Sequence, residues 1–192
     1  MRNVKLLLGL FLVLCCSGFA LGQMAMPAAK TPGEALNAIL DIGSGEFVGA
    51  ADAMPEDKYS FAPTSGEFKG VRTFAEQVKH VAAVNYVFGS SILQEKPPVD
   101  TNEEKGPDTL KSKAEIMQYL KDSFAYLHKA LASITDKNQL DQVTLFGDMK
   151  AARVRVGAFS TAHPFDHYGQ MVVYLRMNGI VPPASRPQPE KK

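Results

Sequence analysis

His163 and His167 stand four residues apart in His163-Pro-Phe-Asp-His167, and side chains at that spacing share one side of a helix. A neutral imidazole is a good donor to zinc, nickel, iron or cobalt. A third histidine is available at His80, within Thr73-Phe-Ala-Glu-Gln-Val-Lys-His-Val-Ala-Ala-Val-Asn-Tyr-Val-Phe88, where apolar residues recur with a helical period. Three imidazoles brought together from two helices would hold a divalent metal and leave a position for water or substrate. The competing reading is packing, with the same histidines exposed or satisfied in a core. The zinc-protease motif is excluded, because Pro164 stands where its glutamate would act as general base.

Two carboxylates lie near these histidines in sequence. Asp166 is the candidate for proton handling, as a carboxylate that orients an imidazole or accepts a proton at the site; its alternative is a solvated helix face. Glu76, three residues after Thr73, is explained by helix capping without chemistry. Asn85, Tyr86, Tyr168, Gln170 and Tyr174 could brace a cavity, although packing accounts for each of them. Arg176 suits the last turn of a helix, and His128 has no histidine at helical spacing and reads as exposed or structural.

Three segments open with a hydroxyl residue and a glutamate three positions on: Thr31-Pro-Gly-Glu34, Thr73-Phe-Ala-Glu76 and Ser112-Lys-Ala-Glu115. These predict helices over about 31–54, 74–92 and 113–133. A fourth is expected from near Asp148 to Asn178, ended by Gly179 and then Pro182-Pro183. Pro164 cannot donate to the Ser160 carbonyl, so a kink or break is expected there, and a helix starting at Pro164 would weaken the argument that both histidines share a face. Four long helices predict an all-α antiparallel bundle. The long polar connections 55–70 and 94–111 predict one or two crossover loops able to roof a site.

Met1-Arg-Asn-Val-Lys5 is positive, Leu6 to Leu14 is apolar, and Ala20-Leu-Gly22 offers small residues for cleavage. Residues 1–22 therefore read as a secretory signal peptide, and the expected location is periplasmic or secreted. A retained anchor is the alternative, but the run is short for a bilayer span. Cleavage would remove both cysteines, so that any metal site must use histidine, carboxylate, backbone or water. It would also remove Arg2 and Lys5, taking the formal charge from +1 to about −1. Such a balance predicts no nucleic-acid partner, and no stable membrane span is expected after cleavage. The remainder is enough for one domain with a substantial core, expected over 31–186.

The segment His163-Pro-Phe-Asp-His-Tyr-Gly-Gln-Met-Val-Val-Tyr-Leu-Arg-Met-Asn-Gly-Ile-Val-Pro-Pro183, together with Phe74-Ala-Glu-Gln-Val-Lys-His80, resembles the DinB-like family of four-helix proteins, grouped with the YfiT-like metal-dependent hydrolases. The resemblance covers roughly Thr31 to Arg186. It implies a divalent metal, zinc or nickel first, on His80, His163 and His167, with Gly169 and Gln170 beside the site and Tyr174-Leu-Arg176 and Gly179 at the helix end. Some members of that family are transferases or isomerases that use low-molecular-weight thiols, and the resemblance does not extend to the DNA polymerase of similar name.

Three functional readings follow. The leading one is a metal-dependent enzyme, hydrolase or thiol-dependent transferase, acting on an unknown small molecule. The second is a non-catalytic metal- or ligand-binding secreted bundle, with a homodimer through an apolar helix face as its assembly. The third is a structural protein in which the histidines only pack.

Overall fold

The computed structural model describes residues 28–187. The expected signal peptide, residues 1–22, lies outside them. Four helices, α1 (Pro32–Ala53), α2 (Phe74–Leu93), α3 (Lys113–Ala132) and α4 (Arg153–Met177), form the body of the molecule, and a hairpin of β1 (Gln142–Leu145) and β2 (Met149–Ala152) precedes α4. Helix α2 packs on α3 and α4, and α1 packs on the same two helices. Helices α1 and α2 thus lie diagonally across a four-helix bundle, and residues 54–73 make the crossover between them. No helix among the described residues is long and apolar enough to cross a membrane.

The helix starts follow the capping grammar. Thr31, Thr73 and Ser112 each accept the amide of the residue three positions on. At α2 and α3 the glutamate reaches back to the cap as well, so Glu76 is a capping residue. The remaining amides at the start of α2 are also met: Phe74 and Ala75 donate to the carbonyls of Phe61 and Tyr59. These bonds, with the Tyr59 hydroxyl on the Ala51 carbonyl at 2.8 Å, tie the crossover to both helices it joins.

The start of α4 differs from expectation. Residues 149–152 are a strand paired antiparallel with 142–145, in the register Leu145↔Met149 to Gln142↔Ala152, and the helix begins only at Arg153. Its cap residue, Ala152, offers no side-chain acceptor. Instead the Arg153 and Val154 amides donate to the carbonyls of Asp141 and Gln139, both at 2.9 Å. The hairpin returns the chain to the residues just before β1, which supply what a capping side chain would otherwise give.

Pro164 does not break α4, which is continuous from Arg153 to Met177. The ring is buried, and Val156, Met171 and Leu175 are buried on either side of it. Apolar burial along both flanks outweighs one missing hydrogen bond, for which the ordinary cost is about 3 kcal/mol. His163 and His167 consequently keep a common stripe.

The core is a single cluster drawn from all four helices and the hairpin, with Leu40, Phe47, Phe74, Phe88, Leu120, Leu127, Leu131 and Met171 essentially inaccessible. Of the glycines in the middle of α1, Gly43 allows a close approach, since a Cβ there would stand 3.0 Å from the Phe165 ring of α4. Gly45 has nothing near it, so it only weakens the helix.

Candidate metal centre

His80 comes from the middle of α2, and His163 and His167 come from the middle of α4. The structure brings all three together, with one ligating nitrogen of each lying within 4.8 Å of the others. Ring centroids are 4.8 Å apart for His80 and His167, 5.3 Å for His80 and His163, and 4.6 Å for His163 and His167. His80 and His167 are 7% and 6% exposed.

Two of the imidazoles are held in one tautomer by their neighbours. The Nδ1–H of His167 donates to Gln77 Oε1 at 2.7 Å, and Gln77 in turn donates to Gln170 Oε1 at 2.8 Å. The Nδ1–H of His80 donates to the Glu104 carbonyl at 2.8 Å. Either bond leaves a bare Nε2, the arrangement found where an outer partner orients a metal-ligating histidine. His163 is the exception: its Nε2 lies 3.1 Å from His167 Nε2, and its buried Nδ1 has no partner.

Aiming the Glu104 carbonyl has a conformational cost. Asn102, Glu103 and Glu104 have φ of 45°, 51° and 70°, a left-handed run that side-chain-bearing residues disfavour by roughly 1–2 kcal/mol each. Local bonds hold it in place. The Asn102 amide donates to Asp100 Oδ1 at 2.9 Å, its side chain donates to the Gly106 carbonyl at 3.1 Å, and the Gly106 amide donates to the Thr101 carbonyl at 3.0 Å. Gly106, at φ 73°, lies where a Cβ would meet Lys79 at 2.9 Å, so this loop can settle against α2 only with glycine there. The connection between α2 and α3 thus does roof the site.

Burial is the main influence on protonation. It pushes His163 down to about 3, with the charges of His167, His80 and Arg72 acting in the same direction. It pushes His167 down to about 4, where the neighbouring His80 and Arg72 reinforce it and Asp166 opposes it. His80 is also lowered by burial, against the bond to Glu104 and with the help of Arg72. The three shifts all favour neutral imidazole; His80 and His167 present a bare Nε2, while His163, whose Nε2 faces that of His167, must give up the proton between them to do the same. For one pair the spacing already suits a metal: two nitrogens each about 2.0–2.1 Å from one zinc stand on the order of 3.3 Å apart at a tetrahedral angle, against 3.1 Å between the Nε2 atoms of His163 and His167, while the set of three as a whole lies within 4.8 Å.

A pH dependence follows from these directions. Protons compete with a metal only below the folded-state values, so His163 and His167 should stay available to zinc from about pH 7.5 to about pH 5.5, with His80 lowered in the same direction, whereas ordinary histidines begin to protonate near 6.5. Chelator competition, corrected for the chelator's own protonation, measures this, and a tenfold loss across that interval would contradict it. Without metal the sign falls on stability. The unfolded chain takes up protons at these histidines as pH drops through about 6.5 while the folded chain does not, so stability should fall between about pH 6.5 and 4.

Most of the other residues singled out from the sequence lie away from this centre. Asp166 is exposed on α4 and makes no hydrogen bond or ion pair among the described residues. Gln170 reaches the site through Gln77. Tyr174 donates to the Arg72 carbonyl at 3.0 Å, and Tyr168 is half-buried against the core. Asn85 donates to Ser123 Oγ of α3 at 3.2 Å, and Tyr86 stacks with Tyr119 and Tyr126, so both face α3. His128 bonds Asn37 Oδ1 at 2.8 Å, a structural link between α3 and α1. Arg176 donates to Ser185 Oγ at 3.2 Å. Gln77 and the Glu104 carbonyl went unread in the sequence; Gln77 at least could have been found, three residues before His80 on its own helix face.

A bundle of four helices with three clustered imidazoles, two buried and one half-buried, at the interface of its second and fourth helices defines the class of the molecule. The chain belongs to the DinB superfamily, whose family model matches residues 40–171. Among solved structures it is similar to a DinB-like protein from Bacillus cereus, at 18% identity and a TM-score of 0.64, over 78% of this chain and 95% of that one. A DinB-like protein from Bacillus subtilis is similar at 18% identity and a TM-score of 0.60, over 76% and 92%. A mycothiol-dependent maleylpyruvate isomerase is similar at 16% identity and a TM-score of 0.55, over 73% of this chain and 60% of that one. At these identities the likeness concerns the fold. No curated protein matches the chain in sequence.

Proposed function

We propose that the chain is a divalent-metal-dependent enzyme acting on a small molecule, with His80, His163 and His167 holding zinc or nickel. The observation that carries this reading is the set of three neutral imidazoles within 4.8 Å, two of them fixed with Nε2 free by Gln77 and Glu104. A divalent ion there would supply Lewis acidity to an oxygen or sulfur donor in the remaining position. The chain's own part is to present the three nitrogens, exclude water by burial and move a proton. Asp166, beside His167 and open to solvent, is the group assigned to accept that proton and pass it on. The similarity to an isomerase named as mycothiol-dependent supports thiol transfer as one branch of the chemistry, with hydrolysis as the other.

Testing this requires the metal-loaded chain, assayed against panels of esters, amides and thiol acceptors. Asp166→Asn should keep its metal and lose about 10²- to 10⁴-fold in turnover, the range for a general base. Full turnover in D166N would remove Asp166 from the chemistry. A second reading, a bundle that binds metal without catalysis, is favoured by one observation: no carboxylate among the described residues bonds any of the three imidazoles. Inactivity of the loaded chain across both panels, with metal held tightly, would select it.

Export forms part of the proposal, on the charge, apolar run and small-residue site of residues 1–22. N-terminal sequencing of the chain recovered outside the cytoplasm should begin at Gln23; recovery of an intact Met1 terminus from the cytoplasm would oppose it.

A further inference from the structure

Beside His163 begins a run of aromatic rings that the histidine chemistry leaves unused. Phe88, 1% exposed, meets His163 edge-on with centroids 5.8 Å apart. The same ring receives Phe159 at 5.3 Å and Phe146 at 5.8 Å, again edge-on. Those two are 53% and 39% exposed, so a buried ring beside the histidines carries two aromatic side chains open to solvent. With Leu145 and Met149 of the hairpin they line an apolar groove of about 270 Å³.

Two features separate this groove from uncovered core. Phe146 has φ 45°, a left-handed conformation that is unfavourable for a bulky residue. Phe146 shares this conformation with Gly147, at φ 68°, in the tight turn that joins β1 to β2, and the turn holds the Phe146 ring in the groove wall. Arg155 also lines the groove, is exposed and enters no ion pair among the described residues. By contrast Arg153 faces Asp141 at 3.8 Å and donates to the Ile92 carbonyl at 2.6 Å. Arg155, Phe159 and His163 follow at intervals of four residues and share one stripe of α4. At the helical rise, eight residues place Arg155 about 12 Å along the axis from His163.

We propose that this groove is the substrate arm of the three-histidine site and takes a small amphipathic organic anion. Its apolar acyl or aryl body lies against Phe146 and Phe159, its carboxylate pairs with Arg155, and its reacting group reaches the histidines. The assignment rests on the metal-dependent reading above and adds the substrate class to it. An apolar wall with one charged group at its end is the usual composition of a small-molecule pocket.

Calorimetric titration with decanoate and with neutral decanamide tests it, using the zinc-loaded chain and its R155A and F159A variants. Both substitutions are at exposed positions outside the metal ligands. Decanoate should bind the unaltered chain at least about tenfold more tightly than decanamide does, and R155A should abolish that difference, as expected on removing a charged hydrogen-bond partner. F159A should weaken both ligands several-fold through lost apolar contact. Absence of decanoate binding, or binding that ignores both substitutions, would overturn the proposal. Metal content measured on the same samples separates the two failures. A chain that holds zinc but not decanoate loses only the substrate arm, whereas one that binds decanoate but never a metal loses the metal-dependent reading and this assignment with it.

Discussion

Replacing His167 with alanine should lower zinc affinity by at least on the order of a hundredfold, because each ligand of a structural zinc site contributes several kcal/mol. His167 is central to the cluster: its ring lies 4.6 Å from that of His163 and 4.8 Å from that of His80, and its Nε2 is the nitrogen nearest His163. Its removal leaves a pair of ligands from different helices. The comparison is His128→Ala, which lies on α3, bonds Asn37 and should leave zinc affinity within about threefold of the unaltered chain. Chelator competition with circular dichroism as a fold control measures both. Equal affinity in a folded H167A chain would exclude the ligand set; a loss in H128A matching that in H167A would show that the set was misassigned.

Gln77→Leu carries the second largest expected effect, a loss of about 10- to 100-fold in zinc affinity, the usual cost of deleting the partner that orients a ligating histidine. Gln77 is 2% exposed and makes no contribution to the ligand set itself. Its Oε1 fixes the proton on His167 Nδ1 and so keeps Nε2 bare. Leucine fills a similar volume without accepting that proton, and the imidazole then populates the tautomer that cannot bind. Gln77→Glu retains an acceptor and should hold zinc at least as well as the unaltered chain. If Q77L and Q77E weaken zinc equally, the effect belongs to packing and not to the tautomer.

Much of this was legible in the sequence because it was local. The boxes at Thr73–Glu76 and Ser112–Glu115 encode their helix starts within four residues, and both form as read. The histidine spacing within 163–167 and the apolar stripe around His80 were likewise sufficient to nominate the three residues that the fold brings together. What escaped was set by distant partners. Met149-Lys-Ala-Ala152 has no strand signature of its own, and it is extended because it pairs with 142–145. The first amides of α4 are met by the carbonyls of Asp141 and Gln139, leaving no capping residue to read. Pro164 is locally a helix breaker, yet α4 runs through it because both of its flanks are buried. The bond from His80 to Glu104 depends on a left-handed run at 102–104, of which only Asn102 gives a local sign.

The role of the three histidines is tested most directly by elemental mass spectrometry of the chain purified without chelators, alongside H80A, H163A and H167A. Near one zinc or nickel per chain, lost in each variant while the helical signal persists, is the predicted result. A chain that stays metal-free even after reconstitution at neutral pH, with its three imidazoles unprotonated, would contradict it.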